Sequence, residues 1–397
     1  MNLEKTPNTL FNRALDEIKT NKKLRDEGKH IAIPYPFPRL SQYLAGTTKG
    51  RYIIVTANSK VGKTKLADFL YVYSPIWFKL NNKTNIKPKV IYFTLEMSKE
   101  DKMMEAFCHY LYIKHGVLTN TEELTSLFED RIVDDKLIKM IEDAKDSEFF
   151  KYFNENVIFI DNIRNPYGIY KYVRDYAHSN GVYVDKQGND IPKNLIEANR
   201  EDVNKSIDYY KPFDEDEFLV VLTDHVSLLT PEKEDEQSNK DPLHSAMGRF
   251  SSKYCLAIRD RWKYIPVNVQ QQAAAQEGVE NAKMHMLQPS ANGLADNKKT
   301  GRDADLILGL FSPARFRVAN YPNLTGYSIA DRTRTQHPLL NNYRELSVIF
   351  TRRGDSINTS LFFNGASNYF KELPKPDNMN ETIYKSVYDM SYINYNP

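Results

Sequence analysis

The sequence predicts an α/β fold with a mostly parallel, twisted sheet flanked by helices and an antiparallel hairpin at its C-terminal edge. Apolar runs alternate with helix-like segments from Gly46 onward, a glycine-containing octapeptide follows the first run, and the last two runs lie close together. Such alternation is typical of a parallel sheet covered by helices on both faces. The strands are predicted at 52–55, 90–95, 157–160, 218–222, 265–269, 306–311, 346–350 and 359–363, with the hairpin turning at 353–356.

Residues 1–45 precede this core and are predicted to form a helical and extended docking arm. Leu10, Phe11, Leu15 and Ile18 recur at helical spacing, Thr9 is a suitable N-cap, and the proline-rich segment 31–38 favours extended chain. We expect the arm to pack on the main body or on a neighbouring subunit. The core is predicted over 46–373, interrupted by a polar insertion at 183–216, and 374–397 forms a C-terminal tail. Segments 231–243 and 274–300 are interpreted as long loops, which are often functional.

The composition excludes some classes of protein. The 397 residues carry a net charge of only +2, so a nucleic-acid site would have to be a local lining and not a whole basic face. Cys108 and Cys255 lie far apart and outside any metal-ligand pattern, which argues against a disulfide framework. The absence of a signal peptide and of a long apolar run predicts a cytoplasmic protein without a membrane partner.

The octapeptide is Ala57-Asn58-Ser59-Lys60-Val61-Gly62-Lys63-Thr64, placed between a predicted strand and a predicted helix. This context is typical of a phosphate-binding loop, in which backbone N–H groups face an anion. Lys63 would reach the β- and γ-phosphates, and the Thr64 hydroxyl would hold Mg²⁺. Ala57 stands where glycine is usual, and we expect the loop to close because Gly-Lys-Thr is intact. The alternative is a chance Gly-Lys-Thr at the start of an ordinary helix.

Acidic residues follow three of the predicted strands. Glu96 comes after the second strand and Asp224 after the fourth, as a nucleotide hydrolase requires for water activation and metal binding. Asp161, after the third strand, is the rival of Asp224 for the metal. Each could instead cap the next element.

Five segments, in the same order, resemble motifs of DnaB-type replicative helicases. In the chain they are 91–98 (Ile-Tyr-Phe-Thr-Leu-Glu-Met-Ser), 220–229, 265–271, 301–308 and 361–370. The likeness covers residues 32–373 and lacks the separate N-terminal helical domain of that family. His225 stands where the family usually has tyrosine. The resemblance implies a RecA-like P-loop NTPase core.

The resemblance also implies roles for individual residues. Glu96 would be the general base, Asp224 would support the metal, and Gln271 would sense the γ-phosphate, with the adjacent Gln270 as an alternative. A basic finger would complete the neighbouring subunit's site, and here Arg352 and Arg353 are both open assignments. A solvated hairpin turn is the alternative for this pair.

DNA contacts would come from loops that line the channel of a ring. The segment 272–302 is the best choice, through Lys283, Lys298, Lys299 and Arg302. A few cations per subunit, repeated around a ring, are enough to track a single strand. A solvated charged loop is the alternative. The acidic loop 231–247 is a weaker choice.

The sequence therefore predicts an ATP- and Mg²⁺-dependent helicase that forms a homo-oligomeric, hexameric ring and unwinds DNA by translocating on single-stranded DNA. A viral or plasmid origin, with replication in the host cytoplasm, and a primase or helicase loader as partner are further expectations. Two alternatives remain open: a RecA-family ATPase without unwinding activity, such as a recombination mediator or loader, and a catalytically silent nucleotide-binding protein.

Overall fold

A computed structural model describes residues 10–197, 201–233, 242–278, 280–281, 286–316 and 341–392. Within these residues the strands are β1 (Ile53–Ala57), β2 (Lys87–Thr94), β3 (Val157–Ile160), β4 (Gly181–Asp185), β5 (Asp190–Ile191), β6 (Ile207–Pro212), β7 (Glu217–Asp224), β8 (Ile265–Gln271), β9 (Leu306–Phe311), β10 (Tyr343–Thr351), β11 (Asn358–Asn364) and β12 (Tyr369–Glu372). All eight strands expected from the apolar runs are present, with small shifts of their ends. Strands β4, β5, β6 and β12 were not predicted from the sequence.

The α-helices of the described residues are α1 (Leu10–Asp26), α2 (Pro38–Tyr43), α3 (Lys63–Asp68), α4 (Ser74–Asn81), α5 (Lys99–His115), α6 (Thr121–Leu124), α7 (Asp135–Ala144), α8 (Glu148–Asn156), α9 (Pro166–Ser179), α10 (Lys193–Glu197), α11 (Glu201–Ser206), α12 (Pro242–Arg249), α13 (Leu256–Trp262), α14 (Thr300–Asp303) and α15 (Glu381–Tyr392). Two π-helical turns, Phe69–Tyr73 and Phe250–Cys255, connect α3 to α4 and α12 to α13. Short 3₁₀ turns lie at Val226–Leu228, Ala274–Glu277, Ala291–Gly293, Ala314–Phe316 and Pro376–Asn378. None of the described helices combines the length and the hydropathy that crossing a membrane requires.

The main sheet has nine strands in the order β12-β11-β10-β9-β1-β8-β7-β2-β3. Strands β9, β1, β8, β7, β2 and β3 are parallel, whereas β10, β11 and β12 form an antiparallel edge. The predicted mostly parallel sheet and its C-terminal hairpin are both confirmed. The carboxyl ends of parallel strands all lie at the same end of the sheet. The residues that follow β1, β8, β7 and β2 are therefore brought together at that end.

Both faces of the sheet are buried, which explains why the parallel strands are continuously apolar. Along β1 and the residue before it, Ile53 and Val55 pack into one hydrophobic cluster, while Tyr52 and Ile54 face the other cluster. Helix α5, which follows β2, is capped by Ser98, whose hydroxyl accepts a hydrogen bond from the Asp101 amide.

The segment expected as an insertion at 183–216 contributes to a separate three-stranded antiparallel sheet in the order β5-β4-β6. Residues of these strands, including Tyr183 and Tyr210, are buried against the main body. The Tyr210 hydroxyl donates to the Ala177 carbonyl at 3.0 Å. In the tail, Val387 is buried in a small apolar cluster with Leu373 and Phe311.

Candidate nucleotide site

The phosphate loop runs from Ala57, the last residue of β1, to Lys63, the first residue of α3. The positive φ angles of the loop fall at Lys60 (60°) and Gly62 (106°), so the loop closes without requiring a left-handed conformation at Ala57. A side chain at Gly62 would be disfavoured for two reasons: the φ angle is one that L-residues rarely adopt, and an added Cβ would lie 3.0 Å from the Phe363 ring.

Asp224 is the acidic residue that the fold brings to the loop. Thr64 donates from Oγ1 to Asp224 Oδ1 at 3.1 Å, and Asp224 is almost fully buried. Burial raises the pKa of Asp224, and the charges of Lys102, His225 and Lys63 oppose that rise. Asp161 follows the edge strand β3, two strands away from β7. The geometry therefore favours Asp224 over Asp161 as the residue that faces Thr64.

Glu96 lies two residues beyond β2, whose last residue Thr94 is the register partner of Asp224. Its side chain is 51% exposed, and its Oε2 lies 3.7 Å from His225 Nε2. Burial and the Lys63 charge lower the pKa of His225, so the imidazole is neutral near pH 7. A half-exposed carboxylate at this edge is accessible to water, as a general base requires.

The two adjacent glutamines of β8 have different environments. Gln271 is only partly buried and is the register partner of Ala57, which places it beside the phosphate loop. Gln270 is fully buried, donates to the carbonyls of Ala295 and Asn297, and accepts a hydrogen bond from Thr300 at 2.7 Å. Gln270 thus holds the following loop, and Gln271 is the better placed of the two to meet a nucleotide.

Arg352 and Arg353 lie at the end of the sheet opposite to the phosphate loop. Strand β10 is antiparallel to β9, so the last residues of β10 lie beside the first residues of β9. Arg352 donates to the Arg302 carbonyl at 3.0 Å and pairs with Asp305 at 3.2 Å. Arg353 is exposed. Neither arginine can therefore reach the phosphate loop of its own chain.

Three of the four residues expected to contact DNA fall in the described part of the chain. Lys298, Lys299 and Arg302 are all exposed, and the Lys299 amide donates to Asn297 Oδ1 at 2.9 Å. Lys283 lies outside the described residues. Lys298, Lys299 and Arg302 lie within or next to the segment 295–300, which Gln270 holds through hydrogen bonds. Gln270 precedes Gln271 in β8, so these cations are linked to the strand that carries Gln271.

Two arginines donate hydrogen bonds to backbone carbonyl oxygens of the phosphate loop. Neither was identified from the sequence. Arg344, in β10, is 8% exposed and donates from Nε to the Val61 carbonyl at 2.9 Å. Arg315 donates to the Ser59 carbonyl at 2.9 Å and pairs with Glu277 at 3.2 Å. The sequence signal that could have revealed Arg344 is a cation inside an otherwise strand-like segment.

The arrangement fits a magnesium-bound nucleoside triphosphate. A hydroxyl and a carboxylate oxygen 3.1 Å apart, from Thr64 and Asp224, are the hard donors that Mg²⁺ prefers. Both polar atoms of the buried Asn58 carboxamide have no hydrogen-bond partner among the described residues, which leaves them for a ligand. The loop geometry of Gly62 and the start of α3 present backbone N–H groups to an anion.

Comparisons with known proteins agree with this fold. No protein-family model matches the sequence, and a search of curated proteins finds no match either. Among solved structures, a DnaB-like replicative helicase described with its primase interactions superposes with a TM-score of 0.57 at 14% identity, covering 90% of this chain and 67% of that chain. A second solved structure, that of an ATPase domain, superposes with a TM-score of 0.54 at 15% identity, covering 91% of this chain and 98% of that chain. The resemblance expected from the motifs is confirmed at the level of the fold: the chain has the RecA-like fold found in DnaB-like replicative helicases.

Proposed function

We propose that this protein is an ATP-driven DNA helicase that acts as a ring, translocating on single-stranded DNA and separating the duplex. The observation that carries the proposal is the convergence of Thr64, Asp224, Glu96 and Gln271 at one sheet edge. This is the set of groups that ATP hydrolysis needs: a metal-binding pair, a carboxylate for water and an amide for the γ-phosphate.

In this proposal each residue of the site has a distinct role in binding or hydrolysing ATP. Lys63 and the loop N–H groups bind phosphate, and Thr64 with Asp224 holds the Mg²⁺ that neutralises developing charge. Glu96 accepts a proton from the attacking water. Gln271 contacts the γ-phosphate, and its neighbour Gln270 connects β8 to the segment that carries Lys298 and Lys299.

The placement of Arg352 and Arg353 supports an oligomer. Because they lie at the far edge of the sheet from their own phosphate loop, an arginine finger could act only on another subunit's nucleotide. The arm offers a means of assembly, since Phe11 is 74% exposed and Ile18 is 66% exposed on α1. Apolar side chains in such positions are typical of a helix that docks on a partner.

The decisive experiment is steady-state ATP hydrolysis with and without single-stranded DNA, comparing the natural chain with Glu96→Gln, followed by strand displacement on a forked duplex. We expect hydrolysis that DNA stimulates strongly and that Glu96→Gln abolishes, with nucleotide binding retained. Hydrolysis with no strand separation would favour a mediator or loader over a helicase. ATP binding without any hydrolysis would favour a silent nucleotide-binding protein.

A further inference from the structure

Behind the phosphate loop lies a buried cluster of charges that the proposed chemistry does not use. Asp68 and Lys102 are each 1% exposed and Glu105 is 4% exposed. Lys102 Nζ lies 2.9 Å from Asp68 Oδ2 and 3.1 Å from Glu105 Oε2, and Lys65 Nζ lies 2.7 Å from Glu105 Oε1. Burying charges is costly even when they are paired, so such a cluster calls for a reason other than stability.

Within the cluster, Lys102 and Glu105 are charged near neutral pH. Although burial opposes it, Lys102 and Lys65 lower the pKa of Glu105 to about 2. Burial raises the pKa of Asp68, and the opposing charge of Lys102 limits that rise. An ionised group fixed inside the protein is a strong and rigid hydrogen-bond partner.

One hydroxyl connects this cluster to the nucleotide site. The Tyr92 Oη lies 2.8 Å from Asp68 Oδ1 and 3.4 Å from Asp224 Oδ2. The other oxygen of Asp224, Oδ1, accepts the hydrogen bond from Thr64. The two carboxylate oxygens of Asp224 thus have different partners: Oδ1 contacts Thr64 of the phosphate loop, and Oδ2 contacts Tyr92.

Together with Asp68, which pairs with Lys102, the hydroxyl connects four elements. Tyr92 belongs to β2, Asp68 to α3, Lys102 to α5 and Asp224 to β7. Any rotation of the Asp224 carboxylate would have to break its contact with Tyr92 or with Thr64. Hydrogen bonds of this kind behind a metal ligand orient it and tune its affinity.

We propose that Tyr92 is a positioning residue, which fixes the Asp224 carboxylate for metal binding by anchoring it to the buried Asp68–Lys102–Glu105 cluster. The proposal rests on the proposed nucleotide function and deepens it. In this proposal Tyr92 has no direct role towards the metal or the nucleotide. It acts on Asp224, and removing its hydroxyl allows the carboxylate to turn away from Thr64.

The test is the Mg²⁺ dependence of binding a fluorescent ADP analogue to the full chain, comparing the natural protein with Tyr92→Phe. The substitution keeps the ring, which packs on Phe159 at 5.4 Å between centroids. The matched control is Tyr152→Phe, which removes a hydroxyl that also contacts the β2 strand, at the Pro88 carbonyl 3.0 Å away. We expect the Mg²⁺ concentration at half-maximal binding to rise about tenfold in Tyr92→Phe and to stay unchanged in the control.

The outcomes separate the two proposals. A Tyr92→Phe midpoint equal to that of the natural chain overturns the positioning role while leaving the nucleotide function intact. ADP binding by the natural chain that is indifferent to Mg²⁺ overturns the proposed metal chemistry itself. If circular dichroism shows that Tyr92→Phe is unfolded, Asp68→Asn replaces it. That variant keeps the side-chain shape but weakens the anchor, and an unshifted midpoint there overturns the proposal.

Discussion

Arg344 donates a hydrogen bond from its Nε to the Val61 carbonyl at 2.9 Å, so a strand at the antiparallel edge of the sheet holds the phosphate loop. The same guanidinium lies 4.7 Å from the centre of the Phe363 ring, which in turn packs against Gly62. Arg344 is buried, and burial lowers its pKa to about 10, where it remains charged at pH 7. The loop is therefore shaped by residues far from it in sequence.

Replacing Arg344 should weaken nucleotide binding. Arg344→Lys keeps a cation but cannot reproduce the directed Nε–H bond to Val61. We expect ADP affinity to fall roughly tenfold, corresponding to about 1.4 kcal/mol of binding free energy. Titration calorimetry measures it, with Arg174→Lys as control because that arginine pairs with its exposed neighbour Asp175. Equal affinities in the two variants would show that the loop holds its shape without Arg344.

Of the two finger assignments, we expect Arg353 to be the one that acts. Both arginines are exposed, but the guanidinium of Arg352 is engaged by Asp305 and by the Arg302 carbonyl. Arg353→Ala should lower turnover by about 10³-fold with little change in nucleotide affinity, since a finger acts on the transition state. Arg352→Ala should mainly lower the melting temperature. Steady-state hydrolysis and calorimetry measure both effects, and a larger drop in turnover in Arg352→Ala would reverse the assignment.

The exposed lysines after β8 should contribute to binding single-stranded DNA. The double variant Lys298→Ala/Lys299→Ala is expected to weaken binding and to reduce the slope of log affinity against log salt by roughly 1.4, because each phosphate that a lysine neutralises adds about 0.7 to that slope. Fluorescence anisotropy over a salt series measures the slope. The control is Lys136→Ala/Lys139→Ala, two exposed lysines of α7. An unchanged slope in the Lys298/Lys299 variant would mean that these lysines are only solvated charges.

The exposed apolar side chains of α1 should hold the oligomer together. Deleting residues 1–30, or changing Phe11 and Ile18 together to serine, is expected to shift the protein to smaller species in light scattering after size exclusion. The melting temperature should change little, because both side chains are exposed within the chain. Lys19→Ser on the same helix is the control. An oligomer that survives the deletion would show that assembly uses another surface.

Glu345 should make stability depend on pH. Burial raises its pKa to about 7, and its Oε1 accepts hydrogen bonds from Gln288 at 2.6 Å and from Asn358 at 3.2 Å. Because the folded chain holds this proton and the unfolded chain releases it at lower pH, Glu345 lowers the free energy of unfolding as pH rises from about 4.5 to about 7.

Glu345→Gln removes this dependence and keeps an acceptor oxygen. Relative to the natural chain, the variant should be more stable at pH 8 than at pH 5, by up to roughly 3 kcal/mol. Urea unfolding at both pH values measures the difference, with the exposed Glu129→Gln as control. The same relative stability at both pH values would show that Glu345 does not titrate in this range.

The local pattern of the sequence determined the strand–loop–helix of residues 53–68, the parallel strands and the closing hairpin. Continuous apolar runs, a Gly-Lys-Thr loop and a short polar turn act over a few residues, so they are visible without the fold. The same logic placed Glu96 and Asp224 at one edge, because residues that follow parallel strands must meet there.

Only the tertiary structure decided which of several similar residues face the site. Asp224 rather than Asp161 contacts Thr64, and Gln270 is buried while Gln271 is not, because strand order and side-chain alternation set these differences. The strands of the small sheet, β4 to β6, were missed because they lie in a polar segment. The burial of Tyr183 and Tyr210 involves contacts with Trp262 and Tyr264, which lie far along the chain.

The contacts of Arg344 with Val61 and of Tyr92 with Asp224 join residues that lie far apart in the sequence. Burial and long-range hydrogen bonds of this kind form only when the core is assembled, so no local sequence pattern predicts them.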